Sequence, residues 1–149
     1  MSGDPVPKPG DAMDAGRPSV EVSDRQSMPI DADALAALAE RTLLAEGRTS
    51  GELALSFVEE AEMGVLHVRY LEEPGPTDVL SFALDEDGLI GDVVVCPAFA
   101  AREHPDLAAE CRLLVVHGVL HLLGYDHEDD VDRAAMWERQ ERYSGVRAP

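Results

Sequence analysis

The sequence predicts an α/β (α+β) domain: one small mixed sheet of about four strands with helices packed against it. Three observations lead there. Short apolar runs that alternate or are β-branched recur along the chain. Segments with helical periodicity lie between and after them. The 149 residues, 45% hydrophobic, suffice for one core.

The first ordered element is expected at Ser19, where Val20 and Val22 alternate with Glu21 and Ser23 as in a strand. Asp31 has the character of an N-cap. Leu35, Leu38, Leu43 and Leu44 follow on a helical period, and Gly47 stops the helix. Leu53, Leu55 and Phe57 alternate with Ala54 and Ser56, a second strand. Ala61 to Tyr70 reads as a helix, broken by Pro74-Gly75-Pro76. Asp78 to Phe82 is a short strand, followed by a turn at Asp85-Glu86-Asp87-Gly88. Ile90 to Val95 is almost continuously apolar, as a strand buried on both faces would be. Pro97 opens a short helix. Leu107 to Leu122 or Leu123 has the strongest helical pattern, with Asp106 as N-cap and Gly124 as its end. A last helix spans about Asp129 to Tyr143.

Two regions differ in kind. Met1 to Pro18 is rich in Gly, Pro, Asp and Ala and cannot bury enough surface to order itself. It is read as a disordered acidic tail, and residues 19–149 as a single domain. Twelve Lys and Arg against 30 Asp and Glu leave a net charge of −18. Such a field repels polyanions at long range and excludes a non-specific nucleic-acid coat protein. Cys96 and Cys111 have no CxxC spacing and are expected as reduced, buried thiols. No apolar run approaches the roughly 20 residues of a membrane span, and the N-terminus lacks a basic-then-apolar signal pattern. A cytoplasmic protein with no membrane partner is expected.

The chemistry concentrates in His117-Gly118-Val119-Leu120-His121-Leu122-Leu123-Gly124-Tyr125-Asp126-His127. His117 and His121 stand four residues apart, which puts both rings on one helix face. Two imidazoles so placed can each give a nitrogen to one zinc at about 2.0–2.1 Å. Gly124 permits the sharp turn that could return His127 as a third ligand. An i,i+4 histidine pair alone often has ordinary partners. Three of the five histidines within eleven residues, separated by a helix-ending glycine, are far harder to attribute to chance. Three protein ligands leave a position for water, the pattern of a catalytic zinc site at the end of a long central helix. The spacing is that of the metzincin proteases, but Gly118 replaces their general-base glutamate, which counts against peptidase activity.

The string HGVLHLLGYDH resembles the signature of the YbeY family of bacterial rRNA maturation factors. Pro76-Thr77-Asp78-Val79-Leu80-Ser81-Phe82 is similar to that family's PTDVLSF block, and Gly91-Asp92-Val93-Val94 to its next strand. Glu110 falls seven residues before the first histidine, where the family usually has an acidic residue. The resemblance covers about Ser19 to Tyr143. It implies Zn2+ held by His117, His121 and His127. It further implies single-strand-specific endoribonuclease activity in 16S rRNA 3′-end maturation and ribosome quality control. Expected partners are rRNA, the small ribosomal subunit, a ribosomal protein and an assembly GTPase. Many relatives carry an arginine shortly before the PTDVLSF block; here that position is Leu71, with Arg69 nearby.

Further residues admit two roles. Asp78 and Asp92 could orient a ligand histidine or serve as turn and strand-edge carboxylates. Ser81 is expected to satisfy a backbone group, and Tyr125 and Asp126 to tune the site or shape the turn. Glu128, Asp129, Asp130 and Asp132 suit a helix N-terminus, though one could be a general base. Glu110 could bond a ligand or serve structure. His67 and His104 are expected at the surface, and Met136 and Trp137 in the core rather than as a base-stacking platform. The competing functional readings are an assembly factor with a structural zinc and a metallopeptidase.

Overall fold

Side-chain caps and glycine stops set the helix boundaries. The Asp31 carboxylate accepts from the Ala34 N–H at 3.0 Å and starts one helix. The Asp106 carboxylate accepts from the Ala109 N–H at 3.1 Å and starts another. Gly47 (φ +85°) ends the first by the Schellman pattern, with Gly47 N–H donating to Leu44 O and Arg48 N–H to Leu43 O. The structure, a computed structural model, describes residues 17–71, 77–86, 88–125 and 130–146. In chain order the elements are β1 (Ser19–Arg25), α1 (Ala32–Ala45), β2 (Glu52–Val58), α2 (Glu60–Leu71), β3 (Val79–Glu86), β4 (Leu89–Val95), α3 (Pro97–Glu103), α4 (Leu107–Leu122) and α5 (Asp130–Ser144).

The four strands form one mixed sheet in the order β1-β2-β4-β3. β1 runs parallel to β2 and β2 to β4, while β3 is antiparallel to β4. The predicted fold class is thus the observed one. β3 is longer than its sequence pattern implied: it continues through Glu86, which pairs with Leu89 after a register shift, so the turn tightens around Gly88 (φ +73°). Asp87 lies outside the described residues. Arg17 and Pro18, placed with the tail by composition, belong to the fold: Pro18 is buried and Arg17 pairs with Glu40.

Alternation divides the core. Leu53, Leu55 and Phe57 of β2 and Val93 and Val95 of β4 face α1 and α4. They are buried with Leu38, Leu43, Val115, Val119 and Leu120. Each such side chain contributes about 1.5–3 kcal/mol on burial. Val58, Leu80, Val94 and Cys96 point to the other face, beneath Met63 of α2 and Phe99 of α3.

The position of α4 on this sheet follows from two glycines. A Cβ at Gly118 would stand 2.6 Å from Cγ1 of the fully buried Val93. A Cβ at Gly91 (φ +153°) would stand 2.4 Å from the Phe82 carbonyl oxygen and 3.0 Å from Leu122 Cδ2. Backbone meets side chain here with no space for a methyl group. Gly118→Ala is therefore expected to lower stability by about 1–3 kcal/mol through overpacking, read as a lower urea midpoint at unchanged slope. An unchanged midpoint would show that α4 is not seated on β4 at this point.

Candidate metal centre

Seating α4 through Gly118 turns the preceding residue away from the sheet. His117 is half-buried and His121, one turn on, is exposed. Their rings are parallel within 3°, with centroids 6.4 Å apart. The i,i+4 pair thus shares one face, as its spacing predicted. Leu123 caps α4, and Gly124 (φ +103°) reverses the chain by a second Schellman pattern: Gly124 N–H donates to His121 O and Tyr125 N–H to Leu120 O, both at 3.1 Å. His127, the third expected ligand, lies outside the described residues, as do Asp126, Glu128 and Asp129. Among the described residues no group of three His, Cys, Asp or Glu side chains is arranged to hold a metal ion.

The sequence reading missed the residue that orients His117. Gln140 of α5 is buried, and its Oε1 lies 2.6 Å from His117 Nδ1. With the Gln140 carbonyl oxygen as acceptor, Nδ1 is the donor, and in the neutral ring Nε2 is then the nitrogen that can ligate. This is the tautomer of an imidazole that ligates through Nε2 while its other nitrogen is held. The one sequence clue was a polar residue on the apolar stripe of α5, four residues after Met136.

A second missed group fixes the turn that carries the signature onward. Glu46, at the end of α1, accepts from Tyr125 Oη at 2.6 Å, from Tyr143 Oη, and from Arg139 Nε at 3.2 Å. The Arg139 guanidinium also lies over the Tyr125 ring, 5.3 Å from its centre. One carboxylate thereby joins α1, the turn after α4, and α5. Burial pushes the Glu46 carboxyl up, but the hydrogen bonds from both tyrosines and the Arg139 charge outweigh it and hold it below the usual range. Burial and the same carboxylate push the Tyr125 phenol up to about 12, so it remains a donor at neutral pH. Tyr125 shapes the turn, one of the two roles expected for it.

Other candidates fall away from the histidine face or take structural partners. Ser81 pairs with Val93 and so faces α4. Asp92 pairs with Phe82 on the opposite face, which removes it from the surroundings of His117; burial pushes its carboxyl up. Asp78 offers its backbone carbonyl to Cys96 N–H. Glu110 is buried, 3.3 Å from His104 Nε2, with its carboxyl pushed up by burial. His104 therefore contacts Glu110 and is half-buried rather than a plain surface residue. His67, expected at the surface, is only 9% exposed, because α2 turns it inward with Met63. Arg69 is exposed, and the Leu71 side chain lies outside the described residues. Cys96 and Cys111 are free and buried as expected. Met136 is fully buried, but Trp137, expected beside it in the core, is 49% exposed because it sits a further 100° around α5. Asp130 and Asp132 occupy the exposed first turn of α5, where acidic residues suit the helix dipole.

The Glu46 hub has a definite pH signature. A carboxyl with a depressed folded pKa stabilises fully above its unfolded value, about 4.3, and that stability disappears as pH falls through the folded value. Glu46→Gln is expected to cost about 1–3 kcal/mol at pH 7. The gap from wild type should narrow below about pH 4.3, as measured by urea denaturation across that range. A gap independent of pH would contradict the ionised hub.

Comparison with known proteins agrees with this architecture. The family model described as endoribonuclease YbeY matches residues 20–145. An endoribonuclease YbeY from Thermobifida fusca is 41% identical over 138 residues, covering 82% of this chain and 89% of that one. Its counterpart from Acidothermus cellulolyticus is 40% identical over 152 residues, covering 87% and 92%. The solution structure of TM1509 from Thermotoga maritima superimposes with a TM-score of 0.58 at 27% identity, covering 84% of this chain and 86% of that one. With the family model spanning nearly all the described fold, and these relatives alike along most of their length, the chain belongs to the endoribonuclease YbeY family.

Proposed function

We propose that this chain is a zinc-dependent, single-strand-specific endoribonuclease of the cytoplasm. Its substrate is the small-subunit rRNA, in 16S 3′-end maturation and ribosome quality control. Its metal ligands are His117, His121 and His127. The observation that carries the reading is the Gln140–His117 hydrogen bond. It holds a half-buried imidazole by Nδ1, beside the parallel ring of His121. Family membership supplies the nucleolytic chemistry.

The donor set suits zinc: two imidazoles on one helix face, with a third histidine three residues past the turn glycine. A zinc ion there would supply a Lewis-acid position for a phosphate oxygen and would lower the pKa of a bound water. The chain's own residues provide placement. Gln140 holds the His117 tautomer, and Glu46 anchors Tyr125, two residues before His127. Gly118 marks the position where a metzincin protease carries its general base, and Val93 fills that space. This geometry speaks against the peptidase reading. No helix among the described residues is long and apolar enough to cross a membrane.

The net charge of −18 favours one further reading: an assembly factor that attracts a basic ribosomal protein, or docks with an assembly GTPase, while zinc holds the fold. The two readings separate on His121→Ala. If the site is catalytic, this variant stays folded by circular dichroism, loses its metal by mass spectrometry, and fails to cleave 16S precursor RNA. If zinc is structural, the variant unfolds. A metal-free wild type after zinc reconstitution would sink both.

Gln140→Leu offers a finer test. Loss of the Nδ1 partner is expected to weaken zinc binding about 10–100-fold, the usual consequence of removing a group that orients a ligand. Competition with a chromophoric chelator measures it, and unchanged affinity would remove the role assigned to Gln140.

A further inference from the structure

Trp137 is the only tryptophan in the chain, and half of it is exposed. Its position follows from contacts on the rest of α5. Arg139 and Tyr143 point toward Glu46 of α1, Met136 is buried in the core, and Gln140 reaches His117. At 100° per residue, Trp137 emerges on the flank away from α1, the flank on which Gln140 meets the histidine face. The contacts of Arg112 Nε with Ser144 O and of His117 Nδ1 with Gln140 Oε1 show that α4 and α5 run antiparallel. Gln140 is level with His117, so one turn back on α5 is level with one turn forward on α4. That level holds Trp137 and His121.

We propose that Trp137 forms a nucleotide subsite beside the histidine pair, its indole stacking on one unpaired base. This rests on the endoribonuclease reading and adds to it the residue that selects single strands. A base can stack only when it is unpaired, and stacking requires no positive field. On a chain with 30 acidic against 12 basic residues, such a contact is how RNA is held once it arrives.

The single tryptophan makes the test direct. Full-length zinc-loaded protein is mixed in a stopped-flow instrument with a 3′-fluorescein single-stranded RNA of roughly 8 nucleotides. Indole emission and fluorescein anisotropy are followed before cleavage proceeds. Single strands should quench the indole while anisotropy rises, and a blunt duplex of the same sequence should not quench. Trp137→Ala should weaken binding about 5- to 100-fold and raise KM more than it lowers kcat. Trp137→Phe should recover most of the affinity, which a merely structural role would not predict. Rising anisotropy with unquenched indole emission, or wild-type affinity in Trp137→Ala, overturns the subsite and leaves the nuclease reading intact. Neither binding nor cleavage of any single strand overturns both.

Discussion

The close seating of α4 on β4, at Gly118 against Val93 and at Gly91 against Leu122, governs the rest. Because no methyl group fits between Gly118 and Val93, the helix lies directly on the sheet. Its rotation is thereby set, and His117 and His121 leave on the side facing α5. The same contact accounts for a histidine-rich helix without the protease glutamate. The residue after the first histidine points into the sheet, so a long polar side chain there would bury an unpartnered carboxylate.

A histidine pair on a helix is not yet a site, because free imidazole rings rotate and exchange tautomers. α5 removes that freedom by returning antiparallel to α4 and placing Gln140 on His117 Nδ1. The return is in turn secured by Glu46. This carboxylate lies at the Schellman end of α1 and gathers Tyr125 from the turn and Arg139 and Tyr143 from α5. This part-buried carboxylate is paired on both oxygens, which offsets the cost of withdrawing its charge from water. The acidic remainder bears on how RNA approaches. Screening confines the repulsion to about 8 Å at physiological salt, so local contacts decide binding once a strand is close.

Much of this was legible in the sequence because it rests on local rules. Caps at Asp31 and Asp106, stops at Gly47 and Gly124, alternation in β2 and the apolar run of β4 depend on neighbours in the chain, and each is found in place. The i,i+4 histidine pair is likewise local. What escaped was tertiary. Gln140 contacts a residue 23 positions away, and Glu46 gathers partners 79 to 97 positions away, so no spacing reveals them. Trp137 and His67 show the limit of residue-type reasoning. Tryptophan suggests core and histidine suggests surface, yet rotation about α5 exposes the one and α2 buries the other. Asp92 lies in a recognisable block, but strand parity turns it from the histidine face.

The central claim is that α4, its turn and α5 hold three imidazoles for one zinc. Zinc-edge X-ray absorption on the reconstituted full-length protein addresses the coordination directly. The account predicts three imidazole nitrogens and one oxygen at about 2.0–2.1 Å, with the outer-ring scattering typical of histidine. A shell of oxygen ligands alone, or fewer than two imidazoles, would contradict it.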